Sequence, residues 1–246
     1  MSWQPFHILG AERESRFLVT CDHASNHVPQ AVRGGSLGLS ADDMRRHIAW
    51  DPGAAGVTGY LADALQAPAI LSDFSRLVID PNRGTDDPTL VMQVYDGTVI
   101  PGNRGIDAAE IAARRALCYD PYHRALADLA GARADRVLVA IHSFTPQMRG
   151  GAPRPWEIGI LHGKDARLAL PLLDLLRAEG DLCVGENEPY GGHLDGDSID
   201  KHALAAGRPN VLIELRNDVI RTAGQQAAWA ARLAPMIRRV LDQSGL

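Results

Sequence analysis

The chain has 246 residues, of which 46% are hydrophobic, and a formal net charge of −5. Length and apolar fraction fit one large α/β domain over 1–246, and the acidic balance argues against nucleic acid as a partner. Cys21, Cys118 and Cys183 are odd in number and widely spaced, forming no CxxC pair and no disulfide framework, which points to a reducing cytoplasm.

Met1 to Arg16 hold no apolar run of the secretory kind. No window of about 18 apolar residues occurs anywhere, so no membrane span is expected. The first element is Phe17-Leu18-Val19-Thr20-Cys21, which runs directly into Asp22-His23-Ala24-Ser25-Asn26. A short apolar run closed by polar residues is the pattern of a buried strand in a parallel sheet. In open α/β folds the chemistry gathers just beyond the carboxyl ends of such strands.

Residues 28–39, rich in Gly, Pro and Ser, read as a loop. Ser40 caps a short helix over 41–47, with Asp42 and Asp43 in its first turn. Asp51-Pro52-Gly53 opens a second helix over 54–65, with Asp as N-cap and Pro at the first helical position. Ala69-Ile70-Leu71 and Leu77-Val78-Ile79 read as two short strands. Residues 81–103 form a long excursion over the site, with one strand around 90–94. A helix over 107–130 follows, which Pro121 should kink or break.

The pattern of the first strand then recurs twice. Val137 to Ile141 runs into His142-Ser143, and Val211-Leu212-Ile213 runs into Glu214-Leu215-Arg216. Between them lie a loop over 144–155, a strand over 157–161, a helix over 166–179 and a short strand over 182–184. A glycine-rich loop over 187–197 and a helix over 198–206 complete that interval, and an amphipathic helix over 222–241 closes the chain. Strands alternating with helices predict an α/β fold, a three-layer αβα sandwich with a mainly parallel mixed sheet.

Three strand ends therefore deliver His23, His142 and Glu214. An imidazole at a polar strand terminus is satisfied by a metal, a substrate or a carboxylate, and Asp22 beside His23 is such a carboxylate. A catalytic zinc takes three protein ligands and keeps one open position. Asp51 is the third candidate ligand, although a helix cap is itself a sufficient reason for an aspartate; Asn26 is the alternative by position, but a neutral amide is a poor zinc ligand. His47 lines the site or lies on the surface. Glu214, beyond a very apolar strand, is the candidate general base, its pKa raised by desolvation; an ion pair with Arg216 is the competing structural reading.

Arg76, Arg83, Arg149, Arg154 and Arg216 fall in loops or at strand ends. Guanidinium forks bind carboxylates, so the set points to a small anionic substrate. Ser25 and Ser143 lack a GxSxG elbow. No GxGxxG or GxxxxGK[ST] motif occurs, and Cys21 within a buried strand reads as packing.

In chain order the sequence carries Cys-Asp-His-Ala-Ser-Asn at 21–26, His-Ile-Ala-Trp-Asp-Pro-Gly-Ala at 47–54 and Ser-Arg-Leu-Val-Ile-Asp-Pro-Asn-Arg at 75–83. Ile-Pro-Gly-Asn at 100–103, Tyr-Asp-Pro-Tyr-His at 119–123, Ile-His-Ser-Phe-Thr-Pro at 141–146 and Ile-Glu-Leu-Arg-Asn-Asp at 213–218 follow. Over nearly the whole chain this series resembles the N-formylglutamate amidohydrolase family. The resemblance implies a zinc-exopeptidase-like fold and one zinc ion (Zn2+) held by His23, Asp51 and His142, with Glu214 as the base. It places substrate carboxylates at Arg76, Arg83 and Arg216; Asn26, as an oxyanion donor alternative to Arg216, and Ser143 are further candidate substrate contacts by their positions at the strand ends. The implied reaction converts N-formyl-L-glutamate to glutamate and formate, a step in histidine degradation. The chain departs from the family in having Ala24-Ser25-Asn26 after His23, where the deformylases carry Ser-Gly and the zinc exopeptidases place a glutamate at the position of Asn26. Two other readings keep part of this pattern: a zinc peptidase or amidase with another acylated substrate, and a metal-free binding protein for a small dicarboxylate.

Overall fold

The structure, a computed structural model, describes residues 3–192 and 194–246, so His193 within the 187–197 loop lies outside the described residues. In chain order it contains strands β1 (Phe6–Leu9) and β2 (Phe17–Cys21), helices α1 (Ala41–Met44) and α2 (Ala54–Leu65), strand β3 (Ala69–Ser72) and a hairpin of β4 (Val94–Tyr95) and β5 (Thr98–Val99). Helices α3 (Ala108–Arg114) and α4 (Asp120–Gly131), strands β6 (Val137–Phe144) and β7 (Ile158–Leu161), and helix α5 (Ala169–Ala178) come next. Strand β8 (Val184–Glu186), helix α6 (Ser198–His202), strand β9 (Asn210–Arg216) and helix α7 (Ala223–Ser244) complete the chain.

Seven strands form one sheet in the order β1-β3-β2-β6-β9-β7-β8. Only the β1–β3 and β7–β9 pairs are antiparallel. The sheet is therefore mixed and mainly parallel, as the alternation of elements predicts. Side chains alternate across it. Val19, Val139, Ile141 and Ile213 point into one core together with apolar residues of α2, α5 and α7. Leu18, Leu138, Ala140 and Leu212 point into the other, with residues of α4 and of the segment between β3 and α3. His142 and Glu214 continue the parity of Ala140 and Leu212, so a period of two already aims both toward the second face.

Several local expectations are corrected. Strand β1 is absent from the sequence reading because three of its four residues are exposed at the sheet edge and carry no buried-strand signal. Leu77-Val78-Ile79 is buried but forms a turn, not a strand. The strand expected around 90–94 is displaced into the β4–β5 hairpin, whose tip Asp96-Gly97 takes positive φ at both residues (43° and 70°), the backbone of a tight hairpin turn. Pro121 does not break its helix. A π-helical segment, Arg115–Tyr119, precedes α4 and places Pro121 in its first turn, where the missing N–H costs least. Helix α2 is capped by Gly53 with no side-chain bond, which leaves the Asp51 carboxylate for other work. Helix α6 begins at Ser198 and is capped by the Asp197 side chain, which accepts from the Asp200 N–H at 2.7 Å. Helix α7 begins with the full capping box of Thr222 and Gln225. Among the described residues no helix is long and apolar enough to cross a membrane.

Candidate metal centre

Strand β2 ends in Asp22-His23, β6 carries His142 one residue before Ser143, and Asp51 arrives from the turn that opens α2. The Asp51 N–H donates to the His23 carbonyl at 2.9 Å, fixing that turn against the end of β2. Its carboxylate Oδ2 lies 3.3 Å from His23 Nδ1 and 2.9 Å from His142 Nδ1, and accepts from the Ser143 N–H at 3.2 Å. The two imidazoles meet edge to face, their centroids 5.0 Å apart. Ligand atoms of His23, Asp51 and His142 all lie within 4.8 Å of one another, and all three residues are buried.

A second ring of carboxylates backs these groups. His23 Nε2 sits 2.7 Å from Asp80 Oδ1, and Asp80 is further bound by the Asn82 N–H at 2.9 Å and by Arg76 Nη2 at 2.8 Å. Asp22 Oδ2 lies 3.5 Å from His142 Nε2, a long contact that leaves both atoms without a hydrogen-bond partner among the described residues. Asp22 Oδ1 accepts from the Tyr122 hydroxyl at 2.6 Å. The sequence places Asp22 behind its neighbour His23; in the structure it faces His142, and Asp80 serves His23. Burial alone would raise the Asp22 carboxyl, but His142, His23 and Tyr122 pull it down to about 2. Asp80 is likewise held well below the usual carboxylate range, Arg76 and His23 outweighing burial.

This arrangement fits a metal ion. A carboxylate at Nε2 fixes the imidazole proton there and turns Nδ1 into a lone pair. Without an ion, burial is outweighed by Asp22 and Asp51, which hold the His142 imidazole well above its usual pKa, so a proton bridges it to Asp51; a metal cation would take that proton's place between the Nδ1 atoms and the Asp51 oxygen. The two edges to Asp51, 3.3 and 2.9 Å, are near the donor–donor separation of about 3.3 Å that zinc–ligand bonds of about 2.0–2.1 Å give in a tetrahedron.

Glu214 pairs with His142 across β6 and β9 and with Gly159 across β9 and β7. A Cβ at residue 159 would lie 1.9 Å from the Glu188 carbonyl oxygen, so only glycine lets the loop after β8 close over the sheet beside Glu214. Burial raises the Glu214 carboxyl to about 7, with Asp51 adding to the effect against His142, and Oε2 has no hydrogen-bond partner among the described residues. Glu214 lines the same cavity of about 430 Å3 as the three candidate ligands.

The other predicted residues divide. Ser143 and Arg83 line this cavity, as does His47, whose imidazole burial drives down to about 4. Arg76 lines it too, but Nε and Nη2 are spent on Asp80 at 3.1 and 2.8 Å, and Nη1 lies 3.6 Å from Asp51 Oδ1. It braces Asp80, behind His23, and the candidate ligand Asp51. Two expectations are corrected. Arg216 is turned away: Nη1 donates to the carbonyls of Arg154, Pro155 and Trp156 and Nε to Asp218, so it ties the 154–156 segment to β9. Asn26 donates through Nδ2 to the Met44 carbonyl at 2.7 Å and lines a different, open groove. Neither faces the cavity. Asp80, Asn82 and Tyr95 escaped the sequence reading as site residues. The first two stand inside the quoted motif at 75–83, and the polar end of a buried apolar triplet was their available signal. Tyr95 gave none, because its place depends on the hairpin.

Comparison with known proteins bears on the fold and the family. The profile of a family described as N-formylglutamate amidohydrolase matches residues 15–221. A crystallised gene product of Agrobacterium tumefaciens is 39% identical, with 99% of this chain and 97% of that chain covered and a TM-score of 0.92. An N-formylglutamate amidohydrolase from Ralstonia eutropha JMP134 is 19% identical, with 96% and 99% covered and a TM-score of 0.71, a likeness of fold. No curated protein matches the chain.

Proposed function

The chain belongs to the N-formylglutamate amidohydrolase family, and from that premise we propose that it is a metal-dependent hydrolase of the amide bond in an N-acyl amino acid, with N-formyl-L-glutamate as the reference substrate. The observation that carries this reading is the meeting of His23, Asp51 and His142 within 4.8 Å, beside a buried carboxyl raised to about 7. A zinc ion bound by these three side chains would supply Lewis acidity and lower the pKa of its water to about 7.

The protein's own groups divide the remaining work. Glu214 takes one proton from the attacking water and returns it to the amine as the C–N bond breaks, so water adds across the amide to give a carboxylic acid and an amine, which part as carboxylate and ammonium at neutral pH. Burial raises this carboxyl from the ordinary glutamate range, which favours a group that both takes and returns a proton. Asp80, 2.7 Å from His23 Nε2, holds that imidazole in the orientation that would present Nδ1 to the ion, and Asp22 stands behind His142 at the longer distance of 3.5 Å. Arg83, with Nη2 unengaged among the described residues, binds the substrate carboxylate.

The test is direct. Protein purified after growth in zinc should carry about one ion per chain and release formate from N-formyl-L-glutamate or a related N-formyl amino acid. Removal of the ion by a chelator should abolish release, and added zinc should restore it. Protein that takes up no metal and cleaves none of these compounds would instead support the binding-protein reading.

A further inference from the structure

The turn over 81–83 carries the loop-side grip, and it is held between two helices. Asn82 and Arg83 both line the cavity. Asn82 Oδ1 accepts from the Ser198 N–H at 3.1 Å, which leaves its amide hydrogens without a partner among the described residues. Arg83 Nε donates to Thr89 and Nη1 to the Asn82 carbonyl, which leaves Nη2. Two backbone carbonyls fix the turn itself, and each takes one donor from α4 or the π-helical turn before it and one from α6. The Pro81 carbonyl accepts from His123 Nε2 at 3.0 Å and from the Ser198 hydroxyl at 3.4 Å. The Arg83 carbonyl accepts from the Tyr119 hydroxyl at 2.6 Å and from Lys201 Nζ at 3.1 Å. The Tyr-Asp-Pro-Tyr-His series at 119–123 thus sends Tyr122 to Asp22 and its first and last residues to this turn.

A pair of histidines joins the two helices. His123 Nδ1 lies 2.8 Å from His202 Nε2 at the end of α6, with the rings only 17° from coplanar. A carbonyl oxygen only accepts, so the His123 proton sits on Nε2 and its Nδ1 lone pair accepts the His202 Nε2–H. Burial, helped by Lys201 and opposed by Asp22, keeps both rings neutral, with His123 pushed down to about 3 and His202 to about 4. Asp80, the neighbour of Pro81, is held separately by Arg76 and by its own N–H to the Leu90 carbonyl. We propose that His123, backed by His202, is a positioning residue that places Asn82 and Arg83 against the substrate carboxylate; this rests on the hydrolase reading of the same site and on the role given there to Arg83.

His123→Phe keeps a ring in place and removes both nitrogens. In the zinc-loaded protein it should raise KM for N-formyl-L-glutamate by about tenfold while kcat and zinc content stay nearly unchanged. His123→Gln, which keeps a donor for the Pro81 carbonyl, should recover most of that loss. Because His123 acts through the grip, adding His123→Phe to Arg83→Ala should raise KM by less than about threefold more. Tyr119→Phe loses only one hydroxyl from the same turn and should repeat the pattern at about threefold, which decides the matter if His123→Phe does not fold. If the unaltered protein cleaves nothing, the hydrolase reading fails, and the same ratios are read from calorimetric binding of L-glutamate, which needs no catalysis. Absence of that binding, an unchanged KM or binding constant, a loss confined to kcat or zinc content, or an effect that multiplies fully with Arg83→Ala overturns the inference.

Discussion

On the sheet side of the cavity, His23 touches Asp51 and Asp80, and Asp51 touches both imidazoles, the Ser143 N–H and Arg76. On the loop side, Asn82 and Arg83 each keep a donor without a protein partner among the described residues. The difference teaches which job each half performs. On the proposed reading, groups that would present the same geometry to one fixed ion are bound on several sides, so little would be left to reorganise when charge develops. Groups that would meet exchangeable ligands keep a donor in reserve while their other side-chain atoms are anchored, Arg83 to Thr89 and the Asn82 carbonyl, and Asn82 to the Ser198 N–H.

Mutations on the two sides should break this contrast in graded fashion. His142→Ala removes a candidate ligand from the braced half. Loss of bound zinc by elemental analysis and a fall in activity on the order of a thousandfold are expected. Glu214→Gln should retain the metal but lower kcat by roughly 10²–10⁴-fold, the usual worth of a positioned proton-transfer group.

The same variant has a second, metal-free readout. Burial keeps Glu214 protonated in the folded chain up to about 7, against an ordinary value of 4.5. The folded state therefore binds the extra proton, and stability from this group is present below about pH 4.5 and lost as pH rises to about 7. Metal-free Glu214→Gln should accordingly exceed the unaltered protein in stability at pH 8 by up to about 3 kcal/mol, and show no such gain at pH 4. Denaturant titrations at the two pH values check it.

Asp80→Asn leaves the ligands in place and weakens only the group behind His23. A loss of about 10–100-fold in zinc affinity is expected, with kcat recovering at saturating zinc. Arg83→Ala acts on the loop side alone. Its mark should be a rise in KM of about tenfold with kcat and metal content nearly unchanged, because a grip made equally in ground and transition states contributes to binding only. Should Arg83→Ala strip the metal, or Asp80→Asn change only KM, the division between the two halves is wrong.

The legibility of the site follows the same division. His23, His142 and Glu214 could be read because each ends an apolar run, and a buried strand leaves a sharp signal where it turns polar. Asp51 was readable by position, although its capping explanation was wrong: Gly53 holds the cap and the carboxylate faces the imidazoles. Asp80 was hidden by Leu77-Val78-Ile79, three apolar residues that look like a strand and fold as a buried turn. Arg216 was misread because a basic residue just beyond Glu214 looks like a site residue, whereas the 154–156 carbonyls capture it from a distant part of the chain. Asn26, three residues after His23, is drawn aside by the Met44 carbonyl.

Sequence alone determined the mixed, mainly parallel sheet, the strand ends that carry His23, His142 and Glu214 and the face toward which His142 and Glu214 point, because hydrophobic periodicity is a local property with a fixed geometric meaning. Only the tertiary structure decided which carboxylate backs which histidine, which arginine keeps a donor for a ligand and which lends its charge to the frame. Those outcomes depend on segments far apart in the chain, Asp80 against His23 and Arg216 against Trp156, and hydrogen-bond partners at that separation are set by how the loops cross the sheet.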